Sequence, residues 1–310
     1  MIRMQILVTG SSGFVGKALV KELVRLGHEV EGFDASSGQN ILELGQLKKA
    51  IKGKKVVFHL AALLDETKSK QMIEINVKGT ENVVEASAKE GIEQLVYLST
   101  AGVHALAKGK VNEKSEIAPE TMYETSKARA EKIVWESQEM LPITTIRSVL
   151  VLGPNNYWKG IAKLAAKNFP LIGSGENHFQ TIYIKDLVSA LTFVLAKEEC
   201  FGEVYLAAGE EAPTLKQLYG MIREELGIKG AVKTIPLWLG KALAIIYLLK
   251  SKLTGKKTVV LPQHVKRLVR ERYYSTAKIK AAGWKAKVGV KEAVGKTVAE
   301  LRGEKRNEND

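Results

Sequence analysis

The stretch TGSSGFVG, residues 9–16, decides the fold of this 310-residue chain. It follows a short apolar run at residues 5–8 and precedes a run whose apolar residues recur at helical spacing. Between a strand and a helix, Gly10, Gly13 and Gly16 allow positive φ and a close approach of backbone N–H groups to a pyrophosphate. The spacing is G-x-x-G-x-x-G and not G-x-G-x-x-G, so an ordinary tight turn is the alternative interpretation.

Asp34 stands 18 residues beyond Gly16, at the end of the second predicted strand. A carboxylate there can accept hydrogen bonds from both ribose hydroxyls of a dinucleotide, although a solvated loop acid is the alternative. Its charge would repel the additional phosphate of NADP, and no Arg or Lys lies between Glu31 and Leu47 to neutralise that phosphate. The sequence therefore predicts NAD as the cofactor.

Alternating β-branched runs and amphipathic stretches predict an α/β fold, a doubly wound parallel sheet of the Rossmann type. Strands are expected at 5–8, 29–33, 56–60, 94–98 and 143–149, with a further helix at 185–196 and strand at 203–206.

Turn residues interrupt this pattern from Gly153 onwards. We expect an NAD-binding domain made of residues 1–152 and 185–212, and a smaller, mostly helical substrate-binding lobe made of residues 153–184 and 213–303. Residues 304–310 carry no apolar anchor and are expected to fray.

The composition narrows the choice of partner and compartment. The formal net charge is +13, but lysines are scattered through every segment, which favours anionic small molecules or membranes over nucleic acid. Cys200 is the single cysteine and the first apolar run is too short for a signal peptide or a membrane span, so a cytoplasmic location is expected. The five histidines show no metal-ligand spacing, and no metal is predicted.

Tyr123 and Lys127 stand four apart in the helix-forming run YETSKARAE, so both side chains emerge on one face. A nearby ammonium and a positive nicotinamide can lower the pKa of a phenol by the roughly three units that base catalysis at neutral pH requires. Such pairs also arise by chance in helices. The strand ending at Ser99 and Thr100 supplies context, because ligands of open α/β sheets lie beyond the carboxyl ends of strands; either hydroxyl could bind a substrate oxygen or cap the strand.

Together these motifs resemble, in order and spacing, the extended short-chain dehydrogenases of the NAD-dependent epimerase/dehydratase superfamily. The resemblance is carried by residues 9–16, Asp34, HLAA at 59–62, NVKGT at 76–80, LSTA at 98–101, Tyr123 to Lys127, Arg147, Gly153-Pro154, LIGSGEN at 171–177 and IYIKD at 182–186.

The resemblance implies Tyr123 as acid/base, Lys127 as the group that holds the ribose and tunes Tyr123, and Thr100 as the substrate's hydroxyl partner. Thr100 is preferred to Ser99 because the family's catalytic hydroxyl lies four before a tyrosine, whose place His104 takes here. The implied cofactor site comprises Gly10, Ser12, Gly13, Phe14, Val15, Gly16, Asp34, Asn40, Ile41, Leu60, Ala61, Ala62, Asn76, Ser99, Tyr123 and Lys127.

Two departures from the family pattern leave alternatives open. His104 is either a substrate contact or a surface residue. Asn40-Ile41 replaces an Asp-Ile pair that faces the adenine amino group, and the Asn carbonyl can still accept that bond. His59 is interpreted as a packing residue.

Hydride transfer between a secondary alcohol or ketone and the nicotinamide is the predicted function. The alternatives are a nucleotide-sugar epimerase or dehydratase that retains NAD, and a non-catalytic NAD-binding scaffold, although a scaffold would be expected to lose Tyr123 or Lys127. We expect a homodimer with a small-molecule substrate.

Phe179 decides the predicted substrate class. Sugar-nucleotide relatives typically place a phosphate-binding arginine at this position, whereas a phenyl ring stacks on apolar rings. Together with a likeness of the second lobe to 3β-hydroxysteroid dehydrogenases and dihydroflavonol reductases, it predicts a bulky, largely apolar, sterol- or flavonol-like substrate bound by Thr100, His104, Phe179 and Arg272. Arg270 and Arg272 lie where relatives supply a second phosphate-binding arginine, which keeps the sugar-nucleotide alternative open.

The segment 237–257 can be interpreted in two ways. Its apolar part, 237–249, is followed by Lys250, Lys252, Lys256 and Lys257. In one interpretation it is a buried helix, covered by the substrate pocket or by a subunit interface. In the other it is a helix that binds weakly to an anionic membrane surface.

Overall fold

The structure, a computed structural model, describes residues 3–254 and 262–303. The strands are β1 (Gln5–Thr9), β2 (Glu29–Phe33), β3 (Val56–His59), β4 (Gln94–Thr100), β5 (Ile143–Ser148), β6 (Leu150–Leu152), β7 (Leu171–Ile172), β8 (Thr181–Tyr183), β9 (Val204–Ala207) and β10 (Thr234–Ile235). The helices are α1 (Phe14–Arg25), α2 (Leu44–Ile51), α3 (Ser69–Ile73), α4 (Gly79–Glu90), α5 (Met122–Glu136), α6 (Asn156–Ala166), α7 (Ile184–Phe193), α8 (Leu215–Glu225), α9 (Leu237–Thr254), α10 (Pro262–Leu268), α11 (Ala277–Ala281) and α12 (Val290–Leu301). The predicted tail 304–310, and residues 255–257 of the lysine-rich segment, lie outside the described residues.

Six parallel strands form the main sheet in the order β2-β1-β3-β4-β5-β9. The chain leaves β1 towards β2 on one side and then crosses to β3 on the other, so the direction of winding reverses between β1 and β3. Crevices at such reversals bind ligands beyond the carboxyl ends of the strands. The predicted doubly wound Rossmann-type fold is confirmed.

Alternation along β1 explains why both faces of the sheet are covered. Ile6 and Val8 point to one side and join a core cluster with residues of α1 and α7. Leu7 points to the other side and packs in a separate cluster with residues of α2, α4 and α5. Consecutive residues of a strand face opposite sides of its sheet, so a strand buried on both faces must be apolar throughout.

The remaining strands form two small parallel pairs, β6 with β8 and β7 with β10. Asp186 of α7 fixes the C-terminal segment to this part, because its carboxylate accepts hydrogen bonds from the backbone N–H groups of Lys287 (3.1 Å) and Val288 (3.0 Å). The division into an NAD-binding domain and a substrate lobe at the stated residues remains a prediction. Among the described residues, none of the helices is long and apolar enough to cross a membrane.

The packing of Gly16 yields a stability prediction. A Cβ added to Gly16 would lie 2.1 Å from the carbonyl oxygen of Gly10, whereas one added to Gly45, in α2, would meet nothing within 4 Å. We expect Gly16→Ala to lower the free energy of unfolding by about 2 kcal/mol or more through overpacking. Gly45→Ala should raise it by roughly 0.5–1 kcal/mol, because alanine favours helices.

Urea unfolding followed by tryptophan fluorescence compares the two variants with the parent chain. Equal stability of the Gly16→Ala variant and the parent would contradict the close contact at the turn.

Candidate active site

The glycine turn brings three segments together at the reversal point. Gly10 has φ +72° and donates its N–H to the carbonyl of Phe33 (2.8 Å), while a Cβ on it would lie 2.7 Å from the backbone nitrogen of Ala61. Helix α1 begins at Phe14 with Gly13 as an N-cap that offers no side chain, and its first turn carries no acidic residue. The positive end of α1 is therefore open to an anion such as a pyrophosphate.

Asp34 is joined to this turn. One carboxylate oxygen accepts from the N–H of Ser12 (3.1 Å), and the other accepts from the N–H (2.9 Å) and hydroxyl (2.7 Å) of Ser36. Burial acts to raise the pKa of Asp34, but the hydrogen bonds from Ser36 and Ser12 outweigh it and hold that pKa below its ordinary value. A half-buried carboxylate beside the turn, ionised at neutral pH, fits the ribose partner that the sequence predicts.

Asn40 and Ile41 occupy different environments. Asn40 is exposed, and its side-chain oxygen accepts from the N–H of Leu42 (3.0 Å), which leaves that oxygen a second lone pair. Ile41 is buried, and a Cβ on Gly79 would lie 2.4 Å from its Cδ1. The Ile41 side chain therefore belongs to the core, and the prediction that it contacts the cofactor is corrected for its side chain.

A chain of buried hydrogen bonds runs from the end of β3 to α4. The N–H of Ala61 donates to Thr9 Oγ1 (3.3 Å), which bonds His59 Nδ1 (2.7 Å). His59 Nε2 bonds Thr80 Oγ1 (2.9 Å), which donates to the carbonyl of Asn76 (2.7 Å). Because that carbonyl can only accept, His59 must carry its proton on Nε2 and accept on Nδ1. Burial, assisted by the charge of Lys127, lowers the pKa of His59 to about 3, so the ring is neutral.

Asn76 links the segment after β3 to α5 through its side chain, and its predicted role in binding the cofactor remains a prediction. Its side chain is buried; the amide nitrogen donates to the carbonyl of Leu63 (3.0 Å) and to Ser126 Oγ (2.8 Å), and the oxygen accepts from the N–H of Leu63 (2.7 Å). Ser126 in turn donates to the carbonyl of Tyr123 (2.7 Å). Asn76 lies in a π-helical turn, Glu74–Lys78, a local distortion common at functional sites.

The two hydroxyls at the end of β4 have different partners. Ser99 is buried and donates to Glu131 Oε2 (2.5 Å), so its predicted contact with the cofactor is corrected for the side chain. Thr100 is half-buried, and its oxygen accepts from the N–H of Gly102 (3.1 Å), which leaves its proton to donate. Thr100 therefore presents a donor at the carboxyl edge of the sheet.

His104 belongs to a buried network that sequence reasoning missed. Arg147 pairs with Glu131 through Nε (2.9 Å) and Nη2, and its Nη1 donates to His104 Nε2 (2.8 Å). His104 is 2% exposed, and its Nδ1 donates to the carbonyl of Glu116 (2.8 Å). Both ring nitrogens are thus occupied by protein atoms, so the surface interpretation is wrong, and the substrate contact remains a prediction. Glu131 stands four residues after Lys127, a spacing that could have indicated a shared helix face.

Lys127 is buried beside an aromatic ring. Its ammonium donates to the carbonyl of Leu98 (2.7 Å) and lies 4.1 Å from the ring centroid of Tyr97. Burial lowers the pKa of Lys127 to about 7, against the opposing charge of Glu131. The ring face of Tyr97 stabilises the charged form, and Tyr97 too was missed from sequence.

The pKa of Tyr123 is shifted in the direction opposite to the one that the neighbouring Lys127 predicts. Burial, with a smaller effect from the Glu124 carboxylate, raises the pKa of Tyr123 to about 12, whereas the sequence predicts a lowered value. The ammonium of Lys127 is directed at Leu98 and the Tyr97 ring, and Glu124 adjoins the phenol along the chain. At neutral pH the protein therefore presents Tyr123 as a proton donor.

Arg270 and Arg272 have different surroundings. Arg270 forms ion pairs with Glu120 and with Glu124 (2.6 Å). These two carboxylates hold its guanidinium at the start of α5. The guanidinium of Arg272 lies 4.2 Å above the ring centroid of Phe179, and the ion pairs of the described residues give it no carboxylate. Phe179 is 1% exposed, so the expectation that its ring stacks on substrate is corrected: its stacking partner is Arg272.

No group of three or more His, Cys, Asp or Glu side chains that could hold a metal ion occurs within residues 3–254 and 262–303.

The fold, the glycine turn with Asp34, and the Tyr123–Lys127 helix define a dinucleotide-binding enzyme of the short-chain dehydrogenase class. A sequence model of the NAD dependent epimerase/dehydratase family matches residues 6–208, and the chain belongs to that family. It is an NAD-dependent enzyme.

Two relatives and one solved structure illustrate the range of the similarity. The N-acetyl-alpha-D-glucosaminyl-diphospho-ditrans,octacis-undecaprenol 4-epimerase of Escherichia coli O157:H7 is 25% identical, over 94% of each chain. A 2-alkyl-3-oxoalkanoate reductase of Stenotrophomonas maltophilia is 30% identical, over 75% of this chain and 78% of its own. The UDP-glucose 4-epimerase of Thermotoga maritima, solved with UDP-glucose, shares the fold with a TM-score of 0.78 at 21% identity, over 97% of this chain and 99% of its own.

The burial of Lys127 yields a pH prediction. Between the folded pKa of about 7 and the ordinary value of 10.5, the unfolded chain holds a proton on Lys127 that the folded protein releases. Stability should therefore rise with pH through this window on account of Lys127. We expect Lys127→Met to reduce the rise in the free energy of unfolding between pH 7 and pH 9, measured by urea unfolding.

Lys132→Met is the matched control, because Lys132 lies on the same helix with a side chain 76% exposed. The same reduction in both variants would show that the burial of Lys127 is not its cause.

Proposed function

We propose that this chain catalyses hydride transfer between NAD and a bulky, largely apolar ketone or secondary alcohol that also carries an anionic group. The observation that carries the proposal is the guanidinium of Arg272, which lies on Phe179 and, among the described residues, forms no ion pair with a carboxylate, in contrast to Arg270 and Arg267. Such a guanidinium fits a carboxylate or phosphate of a ligand.

In the direction of reduction, NADH held at the glycine turn would supply the hydride for the carbonyl carbon, and residues of this chain would handle the carbonyl oxygen. Tyr123, protonated at neutral pH, donates its proton to the carbonyl oxygen, and the product is a secondary alcohol. The hydroxyl of Thr100, whose proton is not used within the protein, donates a hydrogen bond to the same oxygen and orients it. Oxidation of the alcohol is the reverse.

We assign the cofactor to the reversal point of the sheet. The N–H groups of the turn from Gly10 to Gly16 would bind the pyrophosphate, and Asp34 the adenosine ribose. The segment 60–62, which follows β3, is half-buried at the sheet edge and would lie against the cofactor. Lys127 would bind the nicotinamide ribose while keeping its hydrogen bond to Leu98.

Exposed apolar side chains close in sequence to residues of the proposed site support the apolar part of the substrate. Leu64 follows the segment 60–62 and is 69% exposed, and Met122, which directly precedes Tyr123, is 43% exposed. The names of the two relatives point in the same direction. A 2-alkyl-3-oxoalkanoate joins a ketone and alkyl groups to a carboxylate, and a diphospho-undecaprenol joins a polyprenyl chain to a diphosphate.

A nucleotide-sugar epimerase or dehydratase is the second candidate. The fold shared with a UDP-glucose 4-epimerase favours it, as does the guanidinium of Arg272, which has no carboxylate partner among the described residues and could bind a nucleotide diphosphate. The two candidates differ in whether the remainder of the ligand is polar or apolar. A non-catalytic scaffold is disfavoured by the intact Tyr123 and Lys127.

Replacement of Tyr123 tests the reaction. Tyr123→Phe removes the proton donor and keeps the ring, so turnover of NADH with 3-oxo acids or 3-oxosteroids should fall by about 10²–10⁴-fold. The affinity for NAD, measured by calorimetry, should change little. Tyr273→Phe is the control, because it also removes one tyrosine hydroxyl and that ring stacks on His178 (4.6 Å between centroids). Undiminished turnover in Tyr123→Phe would show that another residue moves the proton.

Replacement of Arg272 tests the anionic group. Arg272→Met should raise KM for an alkyl-substituted 3-oxo acid at least tenfold, and leave kcat and the KM of its uncharged methyl ester nearly unchanged, because only the acid uses the guanidinium.

Calorimetry with UDP and UDP-sugars on the NAD-loaded protein tests the second candidate, the nucleotide-sugar enzyme. Micromolar UDP affinity that disappears in Arg272→Met would overturn the apolar substrate.

A further inference from the structure

In its first part, residues 237–246, helix α9 packs on the protein with one face. Gly240 lets the helix approach β7 closely, since a Cβ there would lie 2.1 Å from Ile172 Cγ2. Ala244, one turn further on, is fully buried in a small core with Ile172 and Val265, and Leu237 packs against that core. The spacing of 237, 240 and 244 marks a single inward stripe.

The opposite face of α9 is apolar and exposed. Trp238 is 70% exposed, Ile245 50% and Ile246 58%, and Lys241 is exposed on the same face. Positions 238, 241 and 245 follow helical spacing, so Lys241 stands between Trp238 and Ile245. Exposed large apolar side chains grouped on one helix face mark an interaction surface.

We propose that this outer face of α9, formed by Trp238, Lys241, Ile245 and Ile246, docks on an anionic membrane surface. Trp places an apolar ring and a polar N–H at the boundary between headgroups and acyl chains, and isoleucines insert below it. Lys241 can extend its ammonium to lipid phosphates while its methylenes remain in the apolar layer. This combination of side chains is typical of helices that lie in the plane of the interface.

Charge favours a lipid surface over a second copy of the chain. A two-fold contact through this face would bring Lys241 near its own symmetry mate, between two chains that each carry a net charge of +13. The sequence adds Lys250, Lys252, Lys256 and Lys257 directly after the exposed apolar positions. Each basic residue near an anionic surface strengthens adsorption, and salt weakens it.

The position of α9 connects docking with the active site, an aspect that rests on the proposed function. Helix α9 packs against α10, and Arg267 of α10 pairs with Glu66 and accepts a hydrogen bond from Arg272 at its carbonyl (3.4 Å). A docked protein would thus hold Arg272 one helix away from the membrane surface. An amphiphilic substrate with an anionic group would be taken from the same surface.

The test is co-sedimentation of the intact protein with vesicles of phosphatidylcholine containing 30% phosphatidylglycerol at low salt. We expect binding that falls at least tenfold in Trp238→Ala/Ile245→Ser and also in Lys241→Glu, and that is weak on pure phosphatidylcholine. Trp135→Ala is the matched control, because Trp135 is 54% exposed on α5 and should leave binding unchanged. In a Trp135→Phe background, brominated lipid should quench the emission of Trp238.

Absence of binding to the anionic vesicles would overturn the proposal, as would equal losses in the outer-face and Trp135 variants. A change in sedimentation coefficient caused by the outer-face variant alone would also overturn it, because the face would then be covered by a second copy. The assay contains no substrate, so vesicle binding without any redox turnover would leave the docking in place and refute the proposed function.

Discussion

The close approach of β1 and β3 at the glycine turn is the constraint on which the site depends. Gly10 has no room for a Cβ beside Ala61, and Gly16 has none beside Gly10. This contact fixes where α1 begins and therefore where its open N–H groups lie. From Ala61 the hydrogen bonds through Thr9, His59 and Thr80 carry the same alignment to Asn76, and from there through Ser126 to the helix of Tyr123. The cofactor turn and the proton donor thus share one buried polar network, which is strong only when every member is satisfied.

Two buried side chains of the site, Lys127 and Tyr97, are in environments that lower the stability of the fold. Lys127 is buried with a pKa lowered to about 7, which means that its charged form is disfavoured by the fold. The hydroxyl of Tyr97, next to it, has no hydrogen-bond partner among residues 3–254 and 262–303, a costly arrangement for a buried polar atom. The ring of Tyr97 nevertheless supplies the face on which the Lys127 ammonium lies. Such unfavourable burial is expected at a functional site, where side chains serve the reaction and the rest of the fold supplies the stability.

The fold and half of the site follow from sequence because they rest on local patterns. The strands around the turn, the alignment of Asp34 with Gly16, and the helix of Tyr123 and Lys127 are each visible within a short window. Ser99, His104 and Phe179 could not be placed this way, because their partners Glu131, Arg147 and Arg272 lie far along the chain. The raised pKa of Tyr123 also depends on the depth of burial, which spacing does not reveal.

The hydrogen bonds around His59 have one permitted direction, with a consequence for how protons move in this enzyme. At one end the N–H of Ala61 can only give, and at the other the carbonyl of Asn76 can only receive. No member can reverse unless the whole series reverses, and both ends forbid that. The chain is therefore an aligned row of dipoles and not a proton wire: it orients the groups of the site but cannot carry a proton along itself in either direction. Replacement of the proton that Tyr123 donates is not a function of these hydrogen bonds.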